Sequence, residues 1–480
     1  MRILFVLTLT SLVRHFESVI LTLASRGHAV RIATPGRETN WPLPDAMLGH
    51  PRIAQVTCPE RRLDEWTDAA PLLRLLADYS RFLEPPFLDA EKLRARARVE
   101  LVQALSGGTA TRLMARCPSC QTKIVDDELA RLVLTGLGPA AAANLKALLR
   151  LTEQVVPSDP AHERFLAAER PDIVLVTPLV GLGSEQTDWV KAARKLGMPV
   201  GFPVFSWDNL TTKGLVHEHP DRVFVWNDIQ KREAVEYHGI PAERVEVTGA
   251  PRFDAFCRLT PKRDRQRFCE KYGLRPDLPI LTYLCSSEFV AEHEAAFVSQ
   301  WISEVRQEAA LSGCNIVVRP HPRSETQWTD VDLSAFPRVA LTMPKQMNAD
   351  RLLYDTLYHS TAVVGLNTSA EIEAALLGKP VFTMLAPGFE RGQRGTLHFR
   401  YLIEEEGGFV RVAAGFDEHR RHLSDAVAGR HDAAATRAFI ERFVRPAGLD
   451  RPATPILADA IERLLPKHSS VKRWWAGLTS

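Results

Sequence analysis

Gly365-Leu366-Asn367-Thr368-Ser369-Ala370-Glu371-Ile372-Glu373-Ala374-Ala375-Leu376-Leu377-Gly378-Lys379-Pro380 is the stretch on which the fold turns. The residues that lead into it, Ala362-Val363-Val364-Gly365, read as a short buried strand that stops at glycine. Asn367, Thr368 or Ser369 then caps a helix, Gly378 ends it, and Pro380 opens the next strand. Strand, capped helix and strand in succession make one unit of a parallel α/β sheet. The first turn of such a helix offers unbonded N–H groups and the positive end of a dipole, which suits phosphate. Two hydroxyls there add donors. Ser369 and Glu373 are four apart and share one helix face. That places a carboxylate beside the phosphate position, where it suits ribose hydroxyls. Glu371 lies about 200° round the helix from Glu373 and is expected to be more exposed. An ordinary capped helix with solvent-facing acids gives the same pattern.

Outward from this segment, the alternation continues in both directions. Upstream, strand 315–318 stops at Arg319-Pro320-His321-Pro322-Arg323, a loop that two prolines stiffen. Sheets of this kind bind ligands beyond the C-terminal ends of their strands. Arg319 and His321 stand there, and a cation and an imidazole suit a diphosphate or its leaving charge. A histidine that merely caps a helix or fills a gap is the plainer reading. The full second block reads as strands 280–284, 315–318, 338–341, 362–365 and 380–384, with helices 290–311, 348–358 and 369–377. A first block reads as strands Ile3–Leu7, Ala29–Ala33, Pro171–Val176, Met198–Val204, Arg222–Val225 and Glu246–Gly249, with helices up to Ser25 and over Thr187–Lys195. Two such blocks predict two doubly wound, Rossmann-like domains facing a cleft, 1–258 and 259–465, followed by a tail, 466–480. Residues 60–155 are rich in Leu, Ala, Arg and Glu at helical spacing and read as a helical insertion in the first domain, there for packing or for acceptor recognition.

The first block carries its own polar cluster, Phe205-Ser206-Trp207-Asp208-Asn209-Leu210-Thr211-Thr212-Lys213-Gly214, directly after a strand. Trp207 can stack on a sugar, Asn209 can bind hydroxyls, and Lys213 can meet phosphate, which makes them candidates for acceptor binding. An Asx-turn with a packed tryptophan is the rival reading. His15 follows the first strand and can reach the cleft. It and Asp208 are the candidate general bases.

Composition narrows the class. The chain is 45% hydrophobic and 25% charged, which is globular rather than disordered. Its 60 basic and 58 acidic residues demand no nucleic-acid partner. Seven cysteines at irregular spacing argue against a disulfide framework and for a reducing cytoplasm. Cys117 and Cys120 form a single CxxC without the second ligand pair that structural zinc needs, so no metal is assigned. The apolar N-terminus lacks a small-residue cleavage site and reads as a first strand, not a leader. Cations and tryptophans mix in 466–475, which suits peripheral contact with the inner face of a membrane.

Asn315–Arg323 followed by Gly365–Pro380 resembles the C-terminal domain of GT-B glycosyltransferases, and of the related UDP-N-acetylglucosamine 2-epimerases and CDP-glycerol glycerophosphotransferases. In that superfamily a Glu five residues before the glycine of a G-x-P ending holds the ribose, and the matching position is Glu373. Thr368-Ser369, with Asn367 before them, match the residues that receive the diphosphate. His321-Pro322 matches a His-Pro motif of bacterial surface-polysaccharide transferases. Ser286-Ser287 match the loop that approaches the donor phosphate, and Thr248–Ala255 resembles the hinge that ends the first domain. A His in the region of His15 is the base in some inverting members. The resemblance covers 1–36 and 171–385. It implies transfer of a sugar from a nucleotide-sugar to a glycan, lipid-linked or small acceptor, in surface polysaccharide or glycoconjugate synthesis. The donor implied is a UDP-sugar first, with CMP-, CDP- or GDP-linked sugars also compatible, and no cofactor or metal is obligatory. Glycerophosphotransfer, sugar 2-epimerisation and a non-catalytic nucleotide-sugar-binding role are the alternatives. The chain departs from the pattern twice. The loop Thr8–His15 lacks the family's glycines, and Leu366, Asn367 and Thr368-Ser369 stand where the epimerases carry Asp and Ser-Gly-Gly.

Overall fold

A computed structural model describes residues 1–36, 42–105, 138–329, 331–344 and 349–465. The CxxC at Cys117 and Cys120 and the tail 466–480 lie outside the described residues. The first sheet joins β1 (Arg2–Leu7), β2 (Ala29–Thr34), β3 (Ile53–Thr57), β4 (Ile173–Thr177), β5 (Val200–Pro203), β6 (Arg222–Val225) and β7 (Val245–Val247) in the order β3-β2-β1-β4-β5-β6-β7. The second joins β8 (Ile280–Leu284), β9 (Asn315–Arg319), β10 (Val339–Leu341), β11 (Ala362–Gly365), β12 (Val381–Met384) and β13 (Val410–Ala413) in the order β10-β9-β8-β11-β12-β13. Every pairing is parallel.

Central strands of such sheets are covered on both faces, so they are apolar throughout instead of alternating. β1 shows this division. Ile3, Phe5 and Leu7 enter one core and Leu4 and Val6 the other. The strands missing from the sequence reading are β3 and β13. Both are edge strands with few residues buried, Ile53 alone in Ile53–Thr57 and Val410 and Ala413 in Val410–Ala413, so neither forms an apolar run. Two others are shorter than read. Met198–Val204 contributes only Val200–Pro203, and Glu246–Gly249 is replaced by Val245–Val247.

The described part of 60–155 is helical, with helices at Ala69–Arg81, Glu91–Ala104 and Pro139–Val155. Buried charges fix it to the first domain. Arg74 meets Glu153 at 2.9 Å and Asp188 at 2.9 Å, and Arg62 meets Asp188 at 3.0 Å. Arg81 donates to the carbonyls of Leu210, Lys213 and Gly214. Asp78 accepts from the amides of Gly183 at 2.8 Å and Leu215 at 2.6 Å. Gly214 has no room for a side chain, because a Cβ would stand 2.6 Å from the Gly181 carbonyl and 2.7 Å from Asp78. The insertion is therefore the buttress of the 208–215 loop.

The chain does not stay in the second domain once it arrives there. Helix Ala453–Glu462 returns to the first, where Leu457, Ala458 and Ile461 share a core with Ile3 and Phe5. Ser18 meets Thr454 at 2.9 Å and His28 meets Glu462 at 2.7 Å. Packing thus assigns 453–462 to the first sheet, although the sequence reading carried the second domain to 465. Removing one member of a buried ion network leaves the others uncompensated. Arg74→Ala is expected to cost about 3–5 kcal/mol, read as a lower urea midpoint with an unchanged slope.

Candidate functional site

In each sheet the strand order reverses at one point, and open α/β sheets place their ligands in the crevice there. In the first sheet it lies between β1 and β4, and in the second between β8 and β11. The loops that leave those strands carry Arg14 and His15 on one side, and Ser286, Ser287 and Leu366–Ser369 on the other. Between the domains lies a cleft of about 700 Å³, lined by Arg14, His15, Arg252, Asp350 and Glu373 among others. A depression of about 790 Å³ beside Tyr354 and Tyr358 lies at the opposite, N-terminal edge of the second sheet. Its Lys379 and Arg265 already donate to backbone carbonyls.

Glu373 is buried and accepts from Arg252 Nη2 at 2.8 Å. Burial pushes its carboxyl up, against the pull of Arg252. The other arm of Arg252 stands 3.4 Å from His15 Nδ1. One guanidinium therefore joins the ribose candidate of the second domain to the base candidate of the first. His15 packs on Phe205, with ring centroids 4.9 Å apart. Burial, then Arg252 and Arg14, hold it well below the usual histidine range, so it is a neutral imidazole at pH 7. Sequence reasoning gave Arg252 and Arg14 no role. The signal was available, because each is a cation just beyond the C-terminal end of a strand, β7 and β1.

Arg319 is buried, and burial pushes it down to about 10. His321 is pushed down to about 4 by burial and then by Arg323, Arg14 and Arg319. Its Nδ1 accepts from the Arg323 amide at 3.1 Å, which leaves the proton on Nε2 as a neutral donor.

The segments that flank the switch point of the second sheet are tied to each other. The Asn367 amide donates to Ser286 Oγ at 3.3 Å, and Asn367 Nδ2 donates to the Gly392 carbonyl at 2.8 Å. Ser287 is half-buried, and its carbonyl accepts from the amides of Val290 and Ala291. Glu371 contradicts its expected exposure, since it is fully buried. It is the third residue after Thr368 and folds back to accept from the Thr368 amide at 3.3 Å, half of a capping box. Its other oxygen has no partner and stands 2.5 Å from where a Cβ on residue 365 would be, which is why that residue is glycine. Glu294 does the same for the neighbouring loop, accepting from the Ser286 amide at 2.7 Å. Burial pushes both carboxyls up to about 8. The amides of Ser286 and Thr368 are thus already bonded inward. The hydroxyl of Ser369 accepts from Trp207 and keeps its own proton to donate.

The 205–214 loop departs from its acceptor-binding assignment. Trp207 is buried between the domains, so it offers no open face for a sugar. Its Nε1 donates to Ser369 Oγ at 3.0 Å, and its ring packs edge-on against His398 at 4.7 Å. Asn209 is buried too, accepting from the Ser206 amide at 3.2 Å, which is the turn-building role. Asp208 accepts from Ser206 Oγ at 2.5 Å and Thr212 Oγ1 at 2.9 Å. Burial pushes its carboxyl up, but Lys213, His398 and those two hydroxyls outweigh it and hold it below the ordinary value. A carboxylate so saturated is a weak base. Lys213 is half-buried at the domain interface, where burial depresses its ammonium.

Two facing, parallel α/β sheets with a cleft at their switch points and a C-terminal helix crossing back define the GT-B fold. Solved structures agree. A putative UDP-N-acetylglucosamine 2-epimerase from Listeria monocytogenes is 13% identical, with a TM-score of 0.52 over 96% of this chain and 95% of that one. S. aureus MnaA, solved with UDP, is 12% identical with a TM-score of 0.52 over 98% and 99%. A glycosyltransferase from Rickettsia africae is 11% identical with a TM-score of 0.50 over 97% and 99%. At such identities the likeness is one of fold. No family model matches the chain, and no curated protein matches it. Among the described residues no helix is long and apolar enough to cross a membrane, and no group of three or more His, Cys, Asp or Glu is placed to hold a metal ion.

A carboxyl whose folded-state value is raised from 4.5 to about 8 loses protons more readily when unfolded. Its contribution to stability is therefore present at pH 4 and falls between pH 4.5 and 8. Glu371→Gln keeps the acceptor for Thr368 and removes that dependence. The variant is expected to melt about 2–4 °C above the parent at pH 8, with the gap closing towards pH 4.5.

Proposed function

We propose that this protein is a glycosyltransferase that moves a sugar from a nucleoside-diphosphate donor, a UDP-sugar first, to an acceptor hydroxyl. The observation that carries the reading is the His15–Arg252–Glu373 chain across the cleft. It puts a neutral imidazole within one guanidinium of a buried carboxylate at the place where the fold binds nucleotides. In this reading Glu373 takes the ribose hydroxyls once Arg252 swings off it. Ser369 and Arg319 meet the diphosphate, and His321 donates to it through Nε2. The acceptor oxygen attacks the anomeric carbon and its proton passes to His15 Nδ1, the nitrogen that Arg252 vacates in the same swing. The bond from that carbon to the diphosphate breaks, and its electron pair stays on the phosphate oxygen. Asp208, saturated and depressed, holds the 206–213 loop in shape instead of acting as the base. The geometry of Trp207 and Asn209 supports the same scaffolding role.

Thermal shifts with UDP, GDP, CDP and CMP test the nucleotide, because a ligand at about 100 times its Kd adds about 2.7 kcal/mol to the native state. UDP is expected to raise Tm in the parent and to do so no longer in Glu373→Ala. An unchanged UDP shift in that variant removes Glu373 from the ribose.

His15→Asn is expected to keep the UDP shift and to lower turnover by about 10²–10⁴, followed as UDP release from UDP-sugars with a panel of carbohydrate acceptors. Because the folded value of His15 lies well below 6.5, turnover in the parent should hold constant down to pH 6.5 and fall only below it. Donor binding without turnover under any acceptor marks a binding protein in place of an enzyme.

A further inference from the structure

Two loops of the second domain meet beside Asn367, 286–291 after β8 and 389–396 after β12. Asn367 binds both. Its amide donates to Ser286 Oγ at 3.3 Å and its Nδ2 to the Gly392 carbonyl at 2.8 Å. The loops also press on each other, since a Cβ on residue 392 would stand 2.2 Å from the Val290 carbonyl oxygen. A shift of either loop therefore reaches the other, and Asn367 with it. Both loops are held from outside by helix Glu91–Ala104, which belongs to the insertion of the first domain. Lys92 Nζ donates to the carbonyls of Phe289 at 3.0 Å and Val290 at 3.2 Å. Arg96, four residues on and on the same helix face, lies over the Phe289 ring at 5.0 Å and donates to the Thr212 carbonyl. Glu91 meets Arg391, the neighbour of Gly392, at 2.9 Å, and Asp89 meets Arg400 at 3.4 Å. These contacts are unequal. Both ion pairs join exposed side chains, and such pairs contribute little. Lys92 is half-buried, and among the described residues no backbone amide donates to either of its two carbonyls. A hydrogen bond from an ammonium is about twice as strong as a neutral one. Lys92 is thus the main tie between the insertion and this end of the second domain.

We propose that Lys92 is a positioning residue for the donor. By fixing the carbonyls of Phe289 and Val290 it sets the two loops on which Asn367 rests, and Asn367 leads directly into Thr368 and Ser369. Lys92 touches no reacting atom. It acts through the loops, so the donor end of the second domain takes its shape only with the insertion of the first seated on it. The insertion then has two tasks, to buttress the 208–215 loop on its own domain and to frame the donor loops on the other. This inference rests on the donor site proposed above.

Isothermal titration of the full chain with UDP, and hydrogen exchange of the nucleotide-free protein, test it together. Lys92→Met keeps an unbranched stem and removes the donors, and is expected to weaken UDP binding about tenfold. In the same variant the amides of Val290, Ala291, Gly392 and Gln393, all bonded within their own loops, should exchange faster. Lys92→Arg keeps donors for both carbonyls and should restore UDP affinity and slow exchange. Arg391→Ala removes one cation from the same edge, and because its ion pair is exposed, UDP binding should stay within about twofold. The proposal is overturned if Lys92→Met binds UDP as the parent does, or if Lys92→Arg gives no rescue. It is overturned equally if Arg391→Ala loses as much as Lys92→Met, which would make the effect one of charge instead of position. If the parent binds no UDP, the donor reading fails on its own, and exchange decides the loop tie. Faster exchange in both loops of Lys92→Met but not of Lys92→Arg upholds it, and unchanged exchange removes it.

Discussion

Everything at the cleft depends on how Trp207 is held. The ring belongs to the first domain, yet it shares one apolar cluster with Ile372, Phe439 and Phe443, and its indole N–H ends on Ser369 of the second. An indole offers a large apolar body and one donor that must be satisfied when buried. Here the body fastens the domains together and the donor sets the hydroxyl beside the helix start. The same seam includes Trp226, Ala250 and Phe253 against Leu284 and Val363. Around it lie Asn227 bonded to the Phe443 carbonyl at 2.8 Å and Asp254 paired with Arg445 at 3.0 Å. The two sheets therefore meet in a fixed relation at one end and leave the cleft open at the other.

That seam explains what was and was not legible in the sequence. Central strands such as Ile3–Leu7 and Ile280–Leu284 were plain because burial on both faces leaves no alternation to confuse. Edge strands β3 and β13 were not, because half or more of their residues are not buried. At the site, Glu373 and His15 were singled out by their places on a helix face and after a strand end, together with the family resemblance, and the fold brings both to one cleft. Trp207 and Asn209 were assigned to an acceptor, and Asp208 to the base, because a polar loop after a strand was assumed to face open space. The loop's direction is set by Arg81, Asp78 and Ser369, from distant parts of the chain. No local pattern encodes that. Glu371 was misplaced for a related reason. Helical periodicity assigns a side chain an azimuth, but a capping carboxylate bends back along the axis to the first-turn amide and leaves the face that the periodicity gives it.

The helix start and the strand-end loop beside it are also unusual electrically. Glu371 and Glu294 are buried under the segments 366–369 and 285–287, each bonded to a backbone amide. As anions they would oppose any phosphate above them. Burial favours their neutral forms, so the protein fixes the shape of both segments with carboxyl groups while adding little negative charge at neutral pH. A substitution that forced either one to ionise would alter the field at the switch point without touching a ligand.

The crossing helix Ala453–Glu462 has a consequence for how the chain assembles. Leu457, Ala458 and Ile461 complete the core formed by Ile3, Phe5, Leu7 and Ile20. When the first 258 residues have left the ribosome, one face of their sheet is covered only in part, by Phe16, Val19 and Leu23 among others, and the rest of its cover is not synthesised until about two hundred residues later. Domains usually finish in the order they are made. Here the first domain waits for the second, with an apolar surface open meanwhile. The demand for protection from aggregation therefore falls on the early half of the polypeptide.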